Sequence, residues 1–182
     1  GFANGVGVAI AEQSLRARFG PEVVDHRIYA MVSDGDLAEG VSHEAASLAG
    51  HLGLGRLVYV YDDNHISIDG PTEIALSDDA PSRFAAYGWQ VLEVGEAAED
   101  LDTLEAALRE AAATEDRPSL IVVRSHIGFP SPDHVDTAAA HGLAFDEESI
   151  RRTKEVMGLP DEPFHVPEDV AAYYRDAGAR GA

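Results

Sequence analysis

The sequence has no cysteine. That excludes disulfides and thiolate metal sites, and it suits a cytoplasmic protein. Lysine is almost absent as well: Lys154 is the only one, and arginine supplies the rest of the 13 basic residues, set against 33 acidic ones. A net charge of −20 argues against nucleic acid and anionic membrane surfaces as partners. Codon usage in a genome rich in Ala, Gly and Arg codons would explain this composition, and so would a salt-adapted surface; neither bears on chemistry. There is no apolar run of 18 residues, so no membrane span is expected. The N-terminus lacks a basic stretch followed by an apolar one, so no signal peptide is expected. It also lacks a Met and starts inside an apolar-periodic segment, "GFANGVGVAIAEQSLRARFG", so the sequence is expected to be part of a longer chain.

What is present suffices for one domain. The 182 residues, 45% of them hydrophobic, can bury a real core. Phe2, Val6, Ile10 and Leu15 recur at near-helical spacing over residues 2–18, and Val41, Ala45, Leu48 and Leu52 form a stripe over 40–52. Residues 81–87 read as a short helix, and Leu101, Leu104, Leu108 and Ala111 mark another. Between them lie short apolar runs at 27–33, 56–64, 89–94 and 119–125. Continuous Val/Ile/Leu runs suit strands covered on both faces, and strand–helix alternation predicts an α/β fold: a doubly wound, mostly parallel sheet with helices on both faces. Residues 126–140 read as an irregular loop. Residues 143–182 read as a peripheral helical tail, with helices near 147–157 and 167–178.

Ligands of such folds sit beyond the carboxyl ends of the strands. Three polar segments are expected there: Ser33–Asp36, Asp62–Asn64 and "HIGFPSP" at 126–132. The corner "SDGD" sets two carboxylates close together in an already acidic chain. It is either a solvated Asp-Gly turn or a cation holder. Asp34 and Asn64 offer hard oxygen ligands of the kind Mg²⁺ takes. A glycine beside Asp34 lets a phosphate approach the backbone, and a helix opening near Gly40 aims N–H groups that way. "DDNHISIDG" is not a calcium loop of the EF-hand kind, because no start at Asp62 or Asp63 puts oxygen ligands at its first, third and fifth positions with glycine at the sixth.

The stretch "SDGDLAEGVSHEAASLAGHLGLGRLVYVYDDNHISIDG", residues 33–70, closely resembles the diphosphate-binding half of transketolases. That family carries Gly-Asp-Gly, then Glu-Gly and Glu-Ala, then Tyr-Asp-Asp-Asn-x-Ile-x-Ile-Asp-Gly. "GFANGVGVAIAE" resembles the segment just before it, and "HIGFPSP…AAHGLAF" (126–145) resembles its later substrate loop. The resemblance implies a thiamine diphosphate-binding fold, with residues 1–142 as the diphosphate domain and 143–182 leading to a pyrimidine-binding domain outside the sequence. It implies that Asp34 and Asn64 give side-chain oxygens to Mg²⁺ (or Ca²⁺) and Ile66 its backbone carbonyl. Gly35 would set its N–H against the diphosphate, and Ile68 and Ile127 would pack near the thiazolium ring. Glu39 and Glu44 match carboxylates at the family's subunit interface that assist cofactor binding. His141 matches a catalytic histidine that reaches the diphosphate and the reacting end of the substrate.

Read without the resemblance, Ile68 and Ile127 suit an ordinary core, and Glu39 suits the first turn of a helix. His65 reads as structural; His43, His51 and His126 have no assignment, though His126 opens the substrate-side loop. Ser33 replaces the first glycine of the family's motif, which is expected to alter the turn without abolishing binding. The activity implied is two-carbon ketol transfer between sugar phosphates, as in the pentose phosphate pathway, by a cytoplasmic homodimer. Dihydroxyacetone synthase and deoxyxylulose-phosphate synthase are related alternatives. A different alternative is a non-catalytic subunit that holds Mg²⁺ and diphosphate in a split heteromer, its partner bringing the pyrimidine domain. The family's upstream substrate histidines and downstream activating glutamate lie outside these residues, so the 182 residues alone are expected to be inactive.

Overall fold

The computed structural model describes residues 1–142 and 144–181. The chain opens with helix α1 (Phe2–Phe19), followed by strand β1 (Ile28–Ser33), the short helix α2 (Asp34–Ala38) and helix α3 (Gly40–His51). Strand β2 (Leu57–Asp63) leads into a small antiparallel hairpin of β3 (Ile66–Ser67) and β4 (Gly70–Pro71). Helix α4 (Ala80–Ala86), strand β5 (Gln90–Gly95), helix α5 (Leu101–Ala113) and strand β6 (Ser119–Arg124) complete the body. Helices α6 (Ala139–Gly142), α7 (Glu147–Val156) and α8 (Glu168–Arg180) follow. The domain boundary expected at Leu143 falls outside the described residues. Among the described residues no helix is long and apolar enough to cross a membrane.

The main sheet has the order β1-β2-β6-β5, and every pair in it is parallel. Side chains alternate across β2. Leu57, Tyr59 and Tyr61 face one layer with Phe2, Val6 and Ala9 of α1, Ala45, Ala46 and Ala49 of α3, and Phe84 of α4. Val58 faces the other, against Ala107 and Ala111 of α5. Helices on both faces are thus borne out. The α5 layer covers the sheet unevenly, leaving Tyr29 and Met31 of β1 at 54% and 76% exposure.

Which side of each helix turns inward differs from the leucine pattern. Helix α3 buries Ser42, Ala45, Ala46 and Ala49, while Val41, Leu48 and Leu52 are exposed. The reason is close approach. Trp89 donates its indole N–H to the carbonyl of Ala46 at 2.8 Å, and a Cβ on Gly50 would lie 1.8 Å from the carbonyl oxygen of Tyr87. Only small residues permit that spacing. In α5, Ala107 and Ala111 likewise face the sheet, with Leu104 packed beside them, and Leu101 is exposed. In α1, Leu15 is exposed, whereas Glu12 is buried and paired with Arg56 at 3.1 Å. The loop expected at 126–140 gives way to a helical turn at Ala139.

Candidate functional site

The sheet order makes β1, β2 and β6 neighbours. Ser33 is in register with Asp62, and Asp63 with Arg124. The three polar segments at the strand ends therefore leave the sheet side by side, at its carboxyl edge.

At the first of them the two carboxylates of "SDGD" have separate roles. Asp36 turns back and accepts the N–H of Ser33 at 3.0 Å and its hydroxyl at 3.2 Å, closing the start of α2. Ser33 is in an extended conformation with φ −118°, so this corner does not need the glycine of the family motif. Asp34 turns inward and is 6% exposed. One of its oxygens accepts the hydroxyl of Tyr61 at 2.7 Å, and the other the N–H of His65 at 3.1 Å. His65 reaches this position through a left-handed backbone, φ +62°.

Asn64, 5% exposed, accepts the N–H of Ile66 at 3.0 Å and donates to Asp62 at 3.0 Å. The second oxygen of Asp62 takes the hydroxyl of Ser125, tying the β2 end to the β6 end. Tyr61 was not among the expected site residues. Its hydroxyl lies between Asp34 and Asp63, 3.0 Å from the latter, with one proton for two carboxylates. Burial first, and then the hydrogen bond to Asp34, push its pKa above the ordinary 10.0, so it stays a neutral donor.

Both donors to Asp34 are thus neutral groups, and a buried carboxylate held only by neutral donors carries an unbalanced charge. A divalent cation would satisfy it. Among the described residues no group of three His, Cys, Asp or Glu side chains is set to hold a metal. A cation at Asp34 would therefore need its other oxygens from an amide, a backbone carbonyl, a ligand or water. Asn64 and Ile66 are the nearby sources, since a carbonyl oxygen that accepts one hydrogen bond keeps a second lone pair. Gly35 follows in the first turn of α2, where N–H groups have no helical partner, and a Cβ there would meet nothing within 4 Å. Its exposed backbone is open to a phosphate.

The remaining candidates are spread around this edge. Ile68 lies between β3 and β4 and is 72% exposed. Ile127 is half-buried, and its carbonyl accepts the N–H of Asp136 at 3.0 Å. A Cβ on Gly128 would lie 2.9 Å from the Cβ of Ala140, so α6, which carries His141, packs against the start of the Ile127 loop. His141 itself is exposed. Glu39 caps α3 through its backbone, and Glu44 is exposed one turn further on. A cleft of about 430 Å³ is lined by Asp34, Tyr61, Asp63, His65 and Arg83; the other candidates do not line it. Arg83 donates to the carbonyl of Leu37 at 3.2 Å and lies 3.1 Å from His43, which fixes the end of α2.

His126, left unassigned by the sequence, has Nδ1 2.9 Å from Asp136 and Nε2 3.1 Å from Glu96. Asp136, and then Glu96, raise its pKa above the ordinary 6.5.

A family profile described as "Transketolase, thiamine diphosphate binding domain" matches residues 1–182. The transketolase of Nostoc sp. is 48% identical over the whole of this chain, which covers 28% of that protein. The chloroplastic transketolase of Solanum tuberosum is 45% identical, again over the whole chain and 25% of the relative. Among solved structures, transketolase from Leishmania mexicana superposes with a TM-score of 0.92 at 42% identity, over 96% of this chain and 27% of that one. A Pichia stipitis transketolase in complex with sedoheptulose 7-phosphate gives 0.93 at 40% identity, over 99% and 27%. The chain thus spans about a quarter of the length of these relatives. On sequence, fold and motif together, it belongs to the transketolase family, within the thiamine diphosphate binding domain.

Proposed function

We propose that the protein containing this chain transfers a two-carbon ketol unit from a ketose phosphate to an aldose phosphate, using thiamine diphosphate and a divalent cation, Mg²⁺ (or Ca²⁺). The observation that carries the reading is the buried Asp34 carboxylate, held only by neutral donors beside the open backbone of Gly35. Sugar-phosphate substrates are supported by the relatives crystallised with sedoheptulose 7-phosphate and xylulose 5-phosphate.

In this reading Asp34 and Asn64 hold the cation with side-chain oxygens and Ile66 with its carbonyl, diphosphate and water completing the six oxygens Mg²⁺ takes. The N–H of Gly35 binds the diphosphate. Ile68 and Ile127 supply apolar contact and exclude water from the ring. Glu39 and Glu44 lie where a second subunit closes the site. His141 hydrogen-bonds diphosphate and substrate and moves a proton at the substrate's reacting end. When bound, the cofactor supplies the electron sink for carbon–carbon cleavage. Residues 1–142 form the diphosphate domain, and 143–182 lead towards a pyrimidine-binding domain or subunit, in a cytoplasmic homodimer or a split heteromer.

The test is calorimetry of thiamine diphosphate binding to the full-length protein, with and without Mg²⁺, beside Asp34→Ala. Mg²⁺-dependent binding is expected in the parent and lost in the variant, with the melting temperature little changed because the substitution removes an unbalanced buried charge and the Tyr61 hydroxyl keeps Asp63 as its acceptor. Unaltered Mg²⁺ dependence in the variant removes Asp34 from the ligand set.

A further inference from the structure

We propose that Tyr61 is a positioning residue that fixes the orientation of the Asp34 carboxylate and thereby sets the site's preference for Mg²⁺ over Ca²⁺. This rests on the reading of Asp34 as a metal ligand. The ring of Tyr61 is held in the core between strand and helix layers, 6% exposed, and belongs to the same inward row as Leu57 and Tyr59. Its hydroxyl is thus a fixed point at the carboxyl edge of the sheet. Among the described residues Asp34 is held at two points, one per oxygen: Tyr61 at 2.7 Å and the His65 N–H at 3.1 Å.

The torsion that turns a carboxylate about its last bond is broad, so one hydrogen bond leaves the plane of the group free and two on opposite oxygens fix it. The side-chain anchor is the shorter of the two and the only one set by a packed ring. The Asp63 oxygen at 3.0 Å is a second acceptor for the same proton, and Asp63 has its own partner in His65 Nε2 at 3.1 Å. The phenol is therefore free to stay with Asp34.

Orientation matters differently to the two ions. Mg²⁺ demands near-ideal octahedral geometry at short distance, whereas Ca²⁺ accepts longer, irregular contacts and either one or two oxygens of a carboxylate. A carboxylate locked by Tyr61 presents one defined oxygen direction, which suits Mg²⁺. A loosened one penalises Mg²⁺ more than Ca²⁺. A general packing defect at Tyr61 penalises both ions alike.

The experiment uses the full-length protein and its Tyr61→Phe variant, titrating thiamine diphosphate by calorimetry at varied Mg²⁺ and at varied Ca²⁺, with thermal melting of each. Loss of a residue that orients a metal ligand typically costs about 10–100-fold in metal affinity. We expect a loss in that range for Mg²⁺, a distinctly smaller one for Ca²⁺, and a melting temperature close to the parent's. Equal losses for both ions, or no loss, overturn the proposal while leaving Asp34 as ligand. Failure of the parent to bind in a metal-dependent way overturns the site reading itself, and this proposal with it. If Tyr61→Phe does not fold, Asp63→Asn decides. It leaves Tyr61 a single carboxylate, so the Mg²⁺ preference must persist, and a variant that loses that preference overturns the proposal.

Discussion

At the scale of single residues, the edge of the sheet separates groups that hold structure from groups left for chemistry. His126 illustrates the first kind. Both ring nitrogens face carboxylates, and only the doubly protonated ring donates to both. Its folded pKa is raised, so the tie it makes is complete below the unfolded value of about 6.5 and is lost as pH rises through the folded value. An NMR titration should place His126 above the ordinary value. Asp136→Asn should lower it more than Glu96→Gln does, since Asp136 is the larger cause. A larger drop in Glu96→Gln would reverse that ranking. His141 is of the other kind: exposed, without a packed role, one residue after the alanine that touches Gly128. His141→Ala in the full-length protein is expected to lower kcat by roughly 10²–10⁴-fold while melting stays near normal. Steady-state kinetics beside thermal unfolding decides it, and near-normal kcat would return His141 to a structural role.

At the scale of elements, size governs packing as much as hydrophobicity. Gly50 and Gly7 make a matched pair. At Gly50 a Cβ would sit 1.8 Å from a backbone oxygen of the Tyr87–Trp89 turn; at Gly7, within α1, it would meet nothing within 4 Å. Gly50→Ala should cost about 1–3 kcal/mol through overpacking, and Gly7→Ala should add up to ~1 kcal/mol of helix preference. Urea unfolding of both variants measures the pair, and a neutral Gly50→Ala would mean that α3 has room to shift. The same feature explains what could and could not be read beforehand. The strands of the main sheet and the longer helices were legible within one or two residues, because Val/Ile/Leu runs and helical spacing are local properties; the short α2, the β3–β4 hairpin and α6 were not. The inward faces of α3 and α5 were legible only in part: Ala45, Leu104 and Ala111 do face the core, but the other leucines of the two stripes do not, because these helices pack closely through alanine and glycine. Strand order was out of reach, since a parallel crossover does not state where its strand will land. At the site, Asp34 and Asn64 could be named as candidates from oxygen chemistry and motif together, and both are buried at the strand ends. Tyr61 was not named, although alternation along β2 places it on the same side as Tyr59, one step nearer the edge.

At the scale of the whole molecule, charge is the dominant feature. A net −20 on 182 residues repels itself, and exposed pairs such as Arg151–Glu148 and Arg152–Asp133 offset only a little of that. Raising salt from about 0.01 M to 0.5 M shortens the screening length from ~30 Å to well under 10 Å. The melting temperature of the 182-residue chain should therefore rise by a few degrees across that range. A fall would mean that the ion pairs outweigh the net repulsion.

The alternation along β2 has one more consequence. Leu57, Tyr59 and Tyr61 form a single row from the buried start of the strand to the site, and the next member, Asp63, already faces Tyr61 across 3.0 Å. Every member keeps its side of the sheet only while the step from one to the next along the chain stays an even number of residues. Substitutions along β2 act one side chain at a time. Deleting or inserting one residue turns every side chain beyond it onto the opposite side, taking Tyr61 away from Asp34 and the aromatic row away from Phe2 together. What descent has to preserve in this strand is its length, even where the identity of a residue is free to drift.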